Sequence, residues 1–383
     1  MKLLFRWRFS FLLILFVLFF SLRLLTKSHP PNDSLESLRE RARAALSVTN
    51  GEVRLAGLLA PVEVLRDRWG VPHIYARNQH DLFFTQGYVA AQDRLFQMEL
   101  WKRAGQGRLS EVAGESFLPR DRTARLLHYR GPKDAEYLSY AADTGEILGA
   151  FTDGINSYIE QRSAAGGPGL PIEFQLAGFA PERWKPEDCL TRMATLSVTG
   201  NAADELANAE LVTLLGAKIA TALGEFDPPT QLEPAAELDL SGISSELIPG
   251  MSGTDSHIEF PANPGSGTRE MGGSNNWTVS GKMTRSGKPL LANDPHRTIA
   301  LPSLRYIVHL VAPGWDVIGA TEPALPGVSI GHNQNVAWGL TVFPVDQQDF
   351  YLEELNPKDE LEYRTEKGWE KMRVEKEIFH VRA

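Results

Sequence analysis

The segment GGSNNW at residues 272–277 constrains this chain more than any other feature, because it has the chemistry of a self-cleavage site. A serine hydroxyl can attack the carbonyl group of the preceding residue, and glycine tolerates the strained backbone that this attack needs. Cleavage between Gly273 and Ser274 would leave a new N-terminal residue that carries both a hydroxyl nucleophile and an α-amine, with a reference pKa of about 8. GGS is also an ordinary loop sequence, so these three residues alone leave both interpretations open.

The residues after Ser274 predict a β-hairpin. Trp277 and Val279 alternate with polar residues, which is the period of a half-buried strand, and PLLA at residues 289–292 is typical of a returning strand. A turn-rich segment at residues 281–287 lies between them. We therefore expect the hairpin to bring Pro295 and His296 back beside Ser274, on a support that preorganises the nucleophile.

The first 27 residues predict an export signal. Lys2, Arg6 and Arg8 precede an apolar run from Phe9 to Leu22. No Ala-x-Ala cleavage site follows, and the run is shorter than the ~20 residues that span a bilayer comfortably. Residues 1–27 are thus either a removed signal peptide or a retained signal anchor. Both alternatives predict a periplasmic or other extracytoplasmic location, with or without anchoring to the cytoplasmic membrane.

Composition and periodicity divide the rest of the chain. Residues 28–225 hold predicted helices at 81–105 and around 140–164, 188–197 and 204–223. Residues 226–273 are rich in helix breakers with little periodicity, which predicts a spacer before the cleavage site. The net charge of −9 argues against a nucleic-acid partner, and the single cysteine excludes an internal disulfide.

Six motifs occur in the order and approximate spacing of one known family. They are GVPHIYA at 70–76, GYVAAQDRLFQME at 87–99, GQGRLSE at 105–111, GSNNW at 273–277, ANDPH at 292–296 and GHNQNVAWG at 331–339. With them the chain resembles the penicillin acylase family of N-terminal-nucleophile hydrolases, which includes cephalosporin acylases and acyl-homoserine-lactone acylases. The resemblance covers nearly everything after residue 60. Asp93 and Glu99 lie in the second motif, and we expect them to be solvated or ion-paired rather than catalytic.

The resemblance implies an α+β fold, namely the αββα four-layer sandwich of N-terminal-nucleophile hydrolases, with a largely helical first subunit. Residues 28–225 would be the alpha-subunit-like region, 226–273 the spacer peptide and 274–383 the N-terminal part of the beta-subunit-like region. The chain ends at Ala383, short of the family's usual second subunit. We therefore interpret the second subunit as truncated.

Amide hydrolysis through an acyl-enzyme needs a nucleophile, a proton acceptor and donors for the oxyanion. Ser274 would supply the first two. The resemblance implies the backbone N–H of Val342, just after WGLT at 338–341, as an oxyanion donor, and His296 as a histidine near the nucleophile. The family's second oxyanion donor, an asparagine, would lie beyond Ala383. A truncated, inactive relative is therefore an alternative to an active enzyme.

Two carboxylates near the end of the chain suggest a metal site. Asp346 and Asp349, with the carbonyl of Gln348 between them, are oxygen ligands of the kind that calcium prefers. The resemblance implies these three ligands and adds Glu205, for a structural Ca²⁺. The alternative is that they are ordinary surface carboxylates.

Together these features predict an exported, self-cleaving hydrolase of linear amides, with a small-molecule N-acyl amide as substrate. The substrate would be the acyl side chain of a β-lactam antibiotic or a related N-acyl compound, and an acyl-homoserine-lactone acylase is the alternative. The two cleaved subunits would be partners in a heterodimer.

A competing motif, GVSIG at 327–331, matches the nucleophile elbow of α/β-hydrolases. That motif needs a strand before it and a helix after it, and the prolines and turn residues around it predict neither.

Overall fold

The computed structural model describes residues 34–126, 128–164, 169–197, 201–224, 231–235, 238–243, 274–296, 301–341 and 350–383. The predicted signal segment and most of the predicted spacer lie outside these ranges. The chain divides into two compact units. The first takes in Met1–Leu100, Lys133–Glu187 and Ala300–Trp338, and the second takes in Trp101–Pro132, Asp188–Ile299 and Gly339–Ala383. In the portion that is described, no helix is both long enough and apolar enough to cross a bilayer.

Helices occupy the first half of the described chain. They are α1 (Leu35–Ala44), α2 (Gln79–Gly105), α3 (Ser110–Ala113), α4 (Leu118–Leu126), α5 (Lys133–Tyr140), α6 (Thr144–Ser163), α7 (Ile172–Ala177), α8 (Pro186–Ser197), α9 (Asn201–Leu215) and α10 (Ala217–Leu223). The long helix predicted at 81–105 is confirmed within two residues. The single helix predicted around 204–223 is instead two, because the chain breaks at Gly216, which has a positive φ of 79°.

The strands are β1 (Glu63–Arg66), β2 (Pro72–Tyr75), β3 (Ser274–Val279), β4 (Leu290–Pro295), β5 (Tyr306–Ala312), β6 (Trp315–Thr321), β7 (Ile330–His332), β8 (Ala337–Trp338), β9 (Leu355–Asn356), β10 (Asp359–Thr365) and β11 (Gly368–Lys371). Strands β1-β2-β5-β6-β7-β8 form a six-stranded sheet, β11-β10-β9 a three-stranded sheet and β3-β4 a two-stranded one. The mixture of helix and sheet confirms the α+β class.

The six-stranded sheet lies in the first unit and joins two distant parts of the chain. Strands β2 and β5 pair in parallel, with His73 opposite His309, and the other neighbours are antiparallel. Along β5, burial alternates with the period of a strand. Val308 and Leu310 are fully buried on one face, whereas Ile307 on the other face is 50% exposed.

Helices α2 and α6 cross in close contact at two glycines. A Cβ atom added to Gly154 of α6 would lie 1.9 Å from the carbonyl oxygen of Phe84 on α2. In the same way, a Cβ atom on Gly87 of α2 would lie 1.9 Å from the carbonyl oxygen of Phe151 on α6. Since real Cβ atoms do not come this close to backbone oxygens, only glycine permits the crossing.

Two carboxylates of α2 that could be mistaken for catalytic acids are structural. Both oxygens of Asp93 accept hydrogen bonds from the Arg66 guanidinium, at 2.9 and 3.0 Å, and Oδ2 also accepts one from the Tyr306 hydroxyl at 2.7 Å. Asp93 is therefore ion-paired, as expected. Glu99 is not solvated, because its side chain is completely buried; its Oε1 accepts a long hydrogen bond of 3.4 Å from the Glu182 N–H.

The nucleophile-elbow motif has the wrong structure for that role, as the sequence predicted. Ser329 is followed directly by strand β7 rather than by a helix. Its N–H donates to the Ala320 carbonyl at 3.0 Å, and its hydroxyl lies 3.4 Å from that of Thr321.

Candidate active site

The hairpin predicted after residue 273 forms in the second unit with the expected register. Strands β3 and β4 are antiparallel, and Ser274 lies opposite Pro295. Ser274 is therefore the first residue of a strand, and its side chain is half-buried. Gly273, the other residue of the predicted cleavage site, lies outside the described residues.

His296 follows β4 directly, at the end of the hairpin where Ser274 begins. Its Nε2 lies 3.2 Å from Oδ2 of Asp294 and 3.5 Å from the side-chain nitrogen of Asn275. Asn275 and Asp294 are opposite each other in the register, and side chains alternate along a strand. The His296 ring therefore lies with these two residues, while the Ser274 side chain belongs to the other face of the hairpin.

A segment outside the hairpin, residues 339–341, is hydrogen-bonded to it. The hydroxyl of Thr341 donates to the carbonyl oxygen of Ser274 at 2.9 Å. The side-chain amide of Asn293, on β4, donates to the Leu340 carbonyl at 2.8 Å and to the Asn275 carbonyl at 3.1 Å. Its carbonyl oxygen accepts from the Leu340 N–H at 3.2 Å. The residue that precedes Val342 thus touches the candidate nucleophile.

The approach of this segment to β4 depends on Gly339. A Cβ atom there would lie 2.7 Å from Cβ and 2.8 Å from Cγ of Asn293. These distances are too short for any side chain, so a larger residue would push the segment away from the hairpin. Val342 itself lies outside the described residues.

One contact brings the predicted metal ligand Glu205 beside the residue that follows the other predicted ligands. Oε2 of Glu205, on α9, accepts a hydrogen bond from the Phe350 N–H at 3.1 Å, so Glu205 lies beside the residue that follows Asp349. Asp346, Gln348 and Asp349 are outside the described residues. Among the side chains that are described, no group of three or more His, Cys, Asp or Glu residues is arranged to hold a metal ion.

A family model described as penicillin amidase matches residues 61–383. The chain belongs to the penicillin amidase family. Penicillin acylase 2 proenzyme of Pseudomonas sp. (strain SE83) is 35% identical over 82% of this chain and 40% of its own length. The acyl-homoserine lactone acylase QuiP of Pseudomonas aeruginosa is 31% identical over 90% of this chain and 41% of its own length. The chain thus spans about two fifths of the length of these curated relatives.

Two further members extend the comparison. Penicillin G acylase of Escherichia coli is 27% identical over 84% of this chain and 43% of its own length. Among solved structures, the thermostable penicillin G acylase from Alcaligenes faecalis in tetragonal form aligns at 26% identity, with a TM-score of 0.36, over 46% of this chain and 98% of that chain.

For this member of the penicillin amidase family, sequence reasoning named Ser274, His296 and Glu205 as candidate site residues and did not name Asn293 or Thr341, whose side chains bond to the nucleophile strand. Both of the missed residues lie in quoted motifs, ANDPH and WGLT. The available signal was that Asn293 directly follows the apolar run PLLA at residues 289–292, near the predicted end of the hairpin.

Proposed function

We propose that this chain carries the self-cleaving, nucleophile-bearing part of a hydrolase of linear amides. The observation that carries the proposal is the hydrogen bond from Thr341 to the Ser274 carbonyl, because it joins the segment before the predicted oxyanion donor to the predicted nucleophile. Membership of the penicillin amidase family supports the same reaction class.

In the proposed processing step, the Ser274 hydroxyl attacks the Gly273 carbonyl and an N-to-O acyl shift gives an ester, which water opens. The freed α-amine of Ser274 then takes the hydroxyl proton as Ser274 attacks the substrate amide. The backbone N–H of Val342 stabilises the oxyanion of the tetrahedral intermediate, and the amine leaves with a proton. Water hydrolyses the acyl-enzyme in a second half-reaction.

His296 has a supporting role in this proposal. Its hydrogen-bond contact with Asp294 restrains the ring at the end of the hairpin where the new N-terminus would form. The ring lies on the hairpin face opposite the Ser274 side chain, so its proposed role is near the main-chain α-amine of the new N-terminus and not at the hydroxyl.

For the substrate, we propose an N-acyl amide, such as the amide that joins the acyl side chain of a β-lactam antibiotic to its nucleus. The similarity to penicillin acylase 2 proenzyme supports this choice. The similarity to the lactone acylase QuiP extends over more of the chain at lower identity, and it supports an acyl-homoserine lactone as the second candidate. Both substrates present an acyl group on an amide nitrogen, so one catalytic arrangement serves either.

The proposal includes the rest of the predicted organisation. The two cleaved subunits stay together as a heterodimer with the αββα four-layer sandwich fold. They lie outside the cytoplasm, in the periplasm or another extracytoplasmic location, with or without an anchor in the cytoplasmic membrane. Family membership supports this fold and the two subunits, and the described residues contain both helices and sheets. The charge pattern of residues 1–27 supports export.

We also propose a structural calcium held by Glu205, Asp346, Asp349 and the carbonyl of Gln348. The contact between Glu205 and the Phe350 N–H supports it, since it places one predicted ligand beside the chain segment that holds the others. Carboxylate and carbonyl oxygens suit this hard cation. The ion would stabilise the association of the two subunits and would take no part in bond cleavage.

N-terminal sequencing and mass spectrometry of the full natural protein test the central proposal. We expect a fragment that begins Ser-Asn-Asn-Trp. Ser274→Ala should stay uncleaved, whereas the matched variant Ser329→Ala should be cleaved like the wild type. An intact wild-type chain, or cleavage that persists in Ser274→Ala, would refute self-cleavage. The intact chain would instead favour an inactive relative.

A chelator tests the metal. EDTA should lower the melting temperature of the processed protein, and added Ca²⁺ should restore it. Asp349→Ala should remove this sensitivity. If the melting temperature is the same with and without EDTA, the four residues are not calcium ligands.

A further inference from the structure

We propose that Asn293 and Thr341 are positioning residues, which hold the main chain before Val342 against the nucleophile strand and so set where the oxyanion donor lies. This inference rests on the proposed function, in which Ser274 attacks and the Val342 N–H stabilises the oxyanion. It adds two side chains that take no part in bond making. We call the hydrogen bonds of Asn293 with Leu340 and Asn275, and that of Thr341 with Ser274, the clamp.

The side chain of Asn293 hydrogen-bonds both the N–H and the carbonyl of one residue, Leu340, as the main chain of a neighbouring strand would. Its carboxamide accepts the Leu340 N–H at 3.2 Å and donates to the Leu340 carbonyl at 2.8 Å. This is a two-bond ring with a single residue, which fixes both the distance and the orientation of that peptide segment. The second bond of the amide group, 3.1 Å to the Asn275 carbonyl, ties the same side chain to β3.

Thr341 makes the next connection along the segment. Its hydroxyl donates directly to the Ser274 carbonyl of β3 at 2.9 Å, whereas Leu340 is tied to β3 through Asn293, whose amide donates to the next carbonyl, that of Asn275. The Val342 N–H shares its planar peptide unit with the Thr341 carbonyl. The position of Thr341 therefore restricts where this N–H can point.

The clamp acts on geometry more than on stability. Its hydrogen bonds are exposed to water, which replaces them when they are lost, so they contribute little net stability. An oxyanion donor must lie within hydrogen-bond distance of the developing charge, and removing one costs ~10²–10³ in rate. A shift of about 1 Å in a positioned group can cost ~10²-fold. Loss of the clamp is therefore expected to reduce kcat in a protein that still folds.

The test uses the full natural protein with three variants and one control. Asn293→Ala removes the ring to Leu340, and Thr341→Val removes the hydroxyl at nearly constant shape. Thr341→Ser keeps the hydroxyl, so it should keep the wild-type hydrogen exchange and kcat. The control is Thr365→Val, because the Thr365 hydroxyl also donates to an exposed carbonyl, that of Gly368 at 3.0 Å, in the β10–β11 turn.

Two measurements are made on each protein. Hydrogen exchange by mass spectrometry reports the N–H groups of a peptide that covers residues 339–342. Hydrolysis of N-octanoyl-4-nitroaniline and N-phenylacetyl-4-nitroaniline reports kcat and KM. We expect faster exchange in Asn293→Ala, and a kcat that is ~10–100-fold lower in Asn293→Ala and Thr341→Val with KM changed less than about threefold. Thr341→Ser and Thr365→Val should behave like the wild type.

Three results would overturn the inference, and each has a distinct signature. Unchanged exchange in Asn293→Ala would show that the clamp does not hold the segment. Faster exchange with a wild-type kcat would show that the clamp holds the segment without setting the reaction geometry. A wild-type protein that neither cleaves itself nor hydrolyses either anilide would refute the proposed function and the positioning role together, whatever the exchange shows.

Discussion

Asn156 and Asn293 form the same two-bond ring with a distant residue, in two very different surroundings. Asn156 accepts the Trp184 N–H at 2.7 Å and donates to the Trp184 carbonyl at 2.8 Å, within a buried region of the first unit. Asn293 makes the equivalent pair with Leu340 in the second unit, where both bonds are exposed. The chemistry is the same, and the solvent around it is not.

The surroundings of the two asparagines differ throughout. Around Asn156, helices α2 and α6 are in contact at glycines and the core side chains have almost no exposed surface. Gln86 of α2 forms the same kind of two-bond ring with Gly327. Its side-chain oxygen accepts from the Gly327 N–H at 2.9 Å, and its side-chain nitrogen donates to the Gly327 carbonyl at 3.0 Å. In the hairpin, no residue of β3 or β4 is buried, and Trp277 is 56% exposed.

This comparison separates two uses of one interaction. A buried ring satisfies backbone groups that would otherwise be desolvated without a partner, so it contributes to stability. An exposed ring replaces bonds to water and contributes little stability, but it still fixes a direction. Changes in the first unit should therefore reduce the free energy of unfolding, whereas changes in the clamp should alter reaction geometry.

The largest expected effect is at the helix crossing. In Gly154→Ala the new Cβ atom would meet the Phe84 carbonyl oxygen, which cannot move without shifting α2. We expect a loss of about 3 kcal/mol or more in the free energy of unfolding, measured by urea denaturation. The control is Gly149→Ala in the same helix, where nothing lies within 4 Å of an added Cβ atom. It should stabilise by about 0.5–1 kcal/mol, and similar losses in both variants would contradict close packing at the crossing.

The next effect compares the two rings directly. Asn156→Ala leaves the N–H and carbonyl of Trp184 buried without these partners, and we expect a loss of about 2–3 kcal/mol in the free energy of unfolding. Asn293→Ala should lose about 1 kcal/mol or less, because water replaces its bonds to Leu340. Urea denaturation of both variants measures the difference. Equal losses would show that exposure does not distinguish the rings.

The smallest effect is a pH dependence at the start of α2. Burial alone would raise the pKa of Asp81, but hydrogen bonds from the Leu59 N–H, the Asn78 side chain, His80 and the Ala60 N–H outweigh it and leave the pKa lowered. A carboxyl whose pKa is lower in the folded state contributes its stability above the unfolded value of ~3.9, and that contribution is lost as the pH falls through the folded value.

Asp81→Asn should therefore reduce the free energy of unfolding at pH 6 and should weaken its fall between pH 5 and pH 2. Denaturation curves of variant and wild type across this range measure the two slopes. The clamp itself contains only amide and hydroxyl groups, so its hydrogen bonds should not depend on this pH change. Parallel slopes in the two proteins would mean that Asp81 does not titrate below the usual range.

Local sequence was enough to predict features whose partners lie nearby. The apolar spacing of residues 81–105 predicted α2, and alternation after Ser274 predicted a hairpin that returns beside Ser274 at about Pro295 and His296, where the structure pairs Pro295 with Ser274. Both rely on periods of 3.6 and 2 residues, which a single strand or helix displays by itself. Helices α4, α5 and α7 were not predicted, because short helices carry too few turns for a clear period.

Contacts between distant residues had no such signal. Nothing in the segment WGLT indicates that Leu340 pairs with Asn293, 47 positions away, or that Gly339 is needed for that approach. The complete burial of Glu99 had no local signal for the same reason, since a carboxylate on a helix is usually solvated unless the rest of the fold covers it.

The sequence by itself determined the family, the α+β class, the candidate nucleophile Ser274 and the register of its hairpin. Each of these depends on motifs or on periodicity along one stretch of chain. Tertiary structure alone decided that Thr341 reaches the Ser274 carbonyl, that Glu205 lies beside Phe350 and that α2 and α6 cross at glycines. The physical reason is that these contacts join residues far apart in the chain, where only the packing of whole elements fixes the distance.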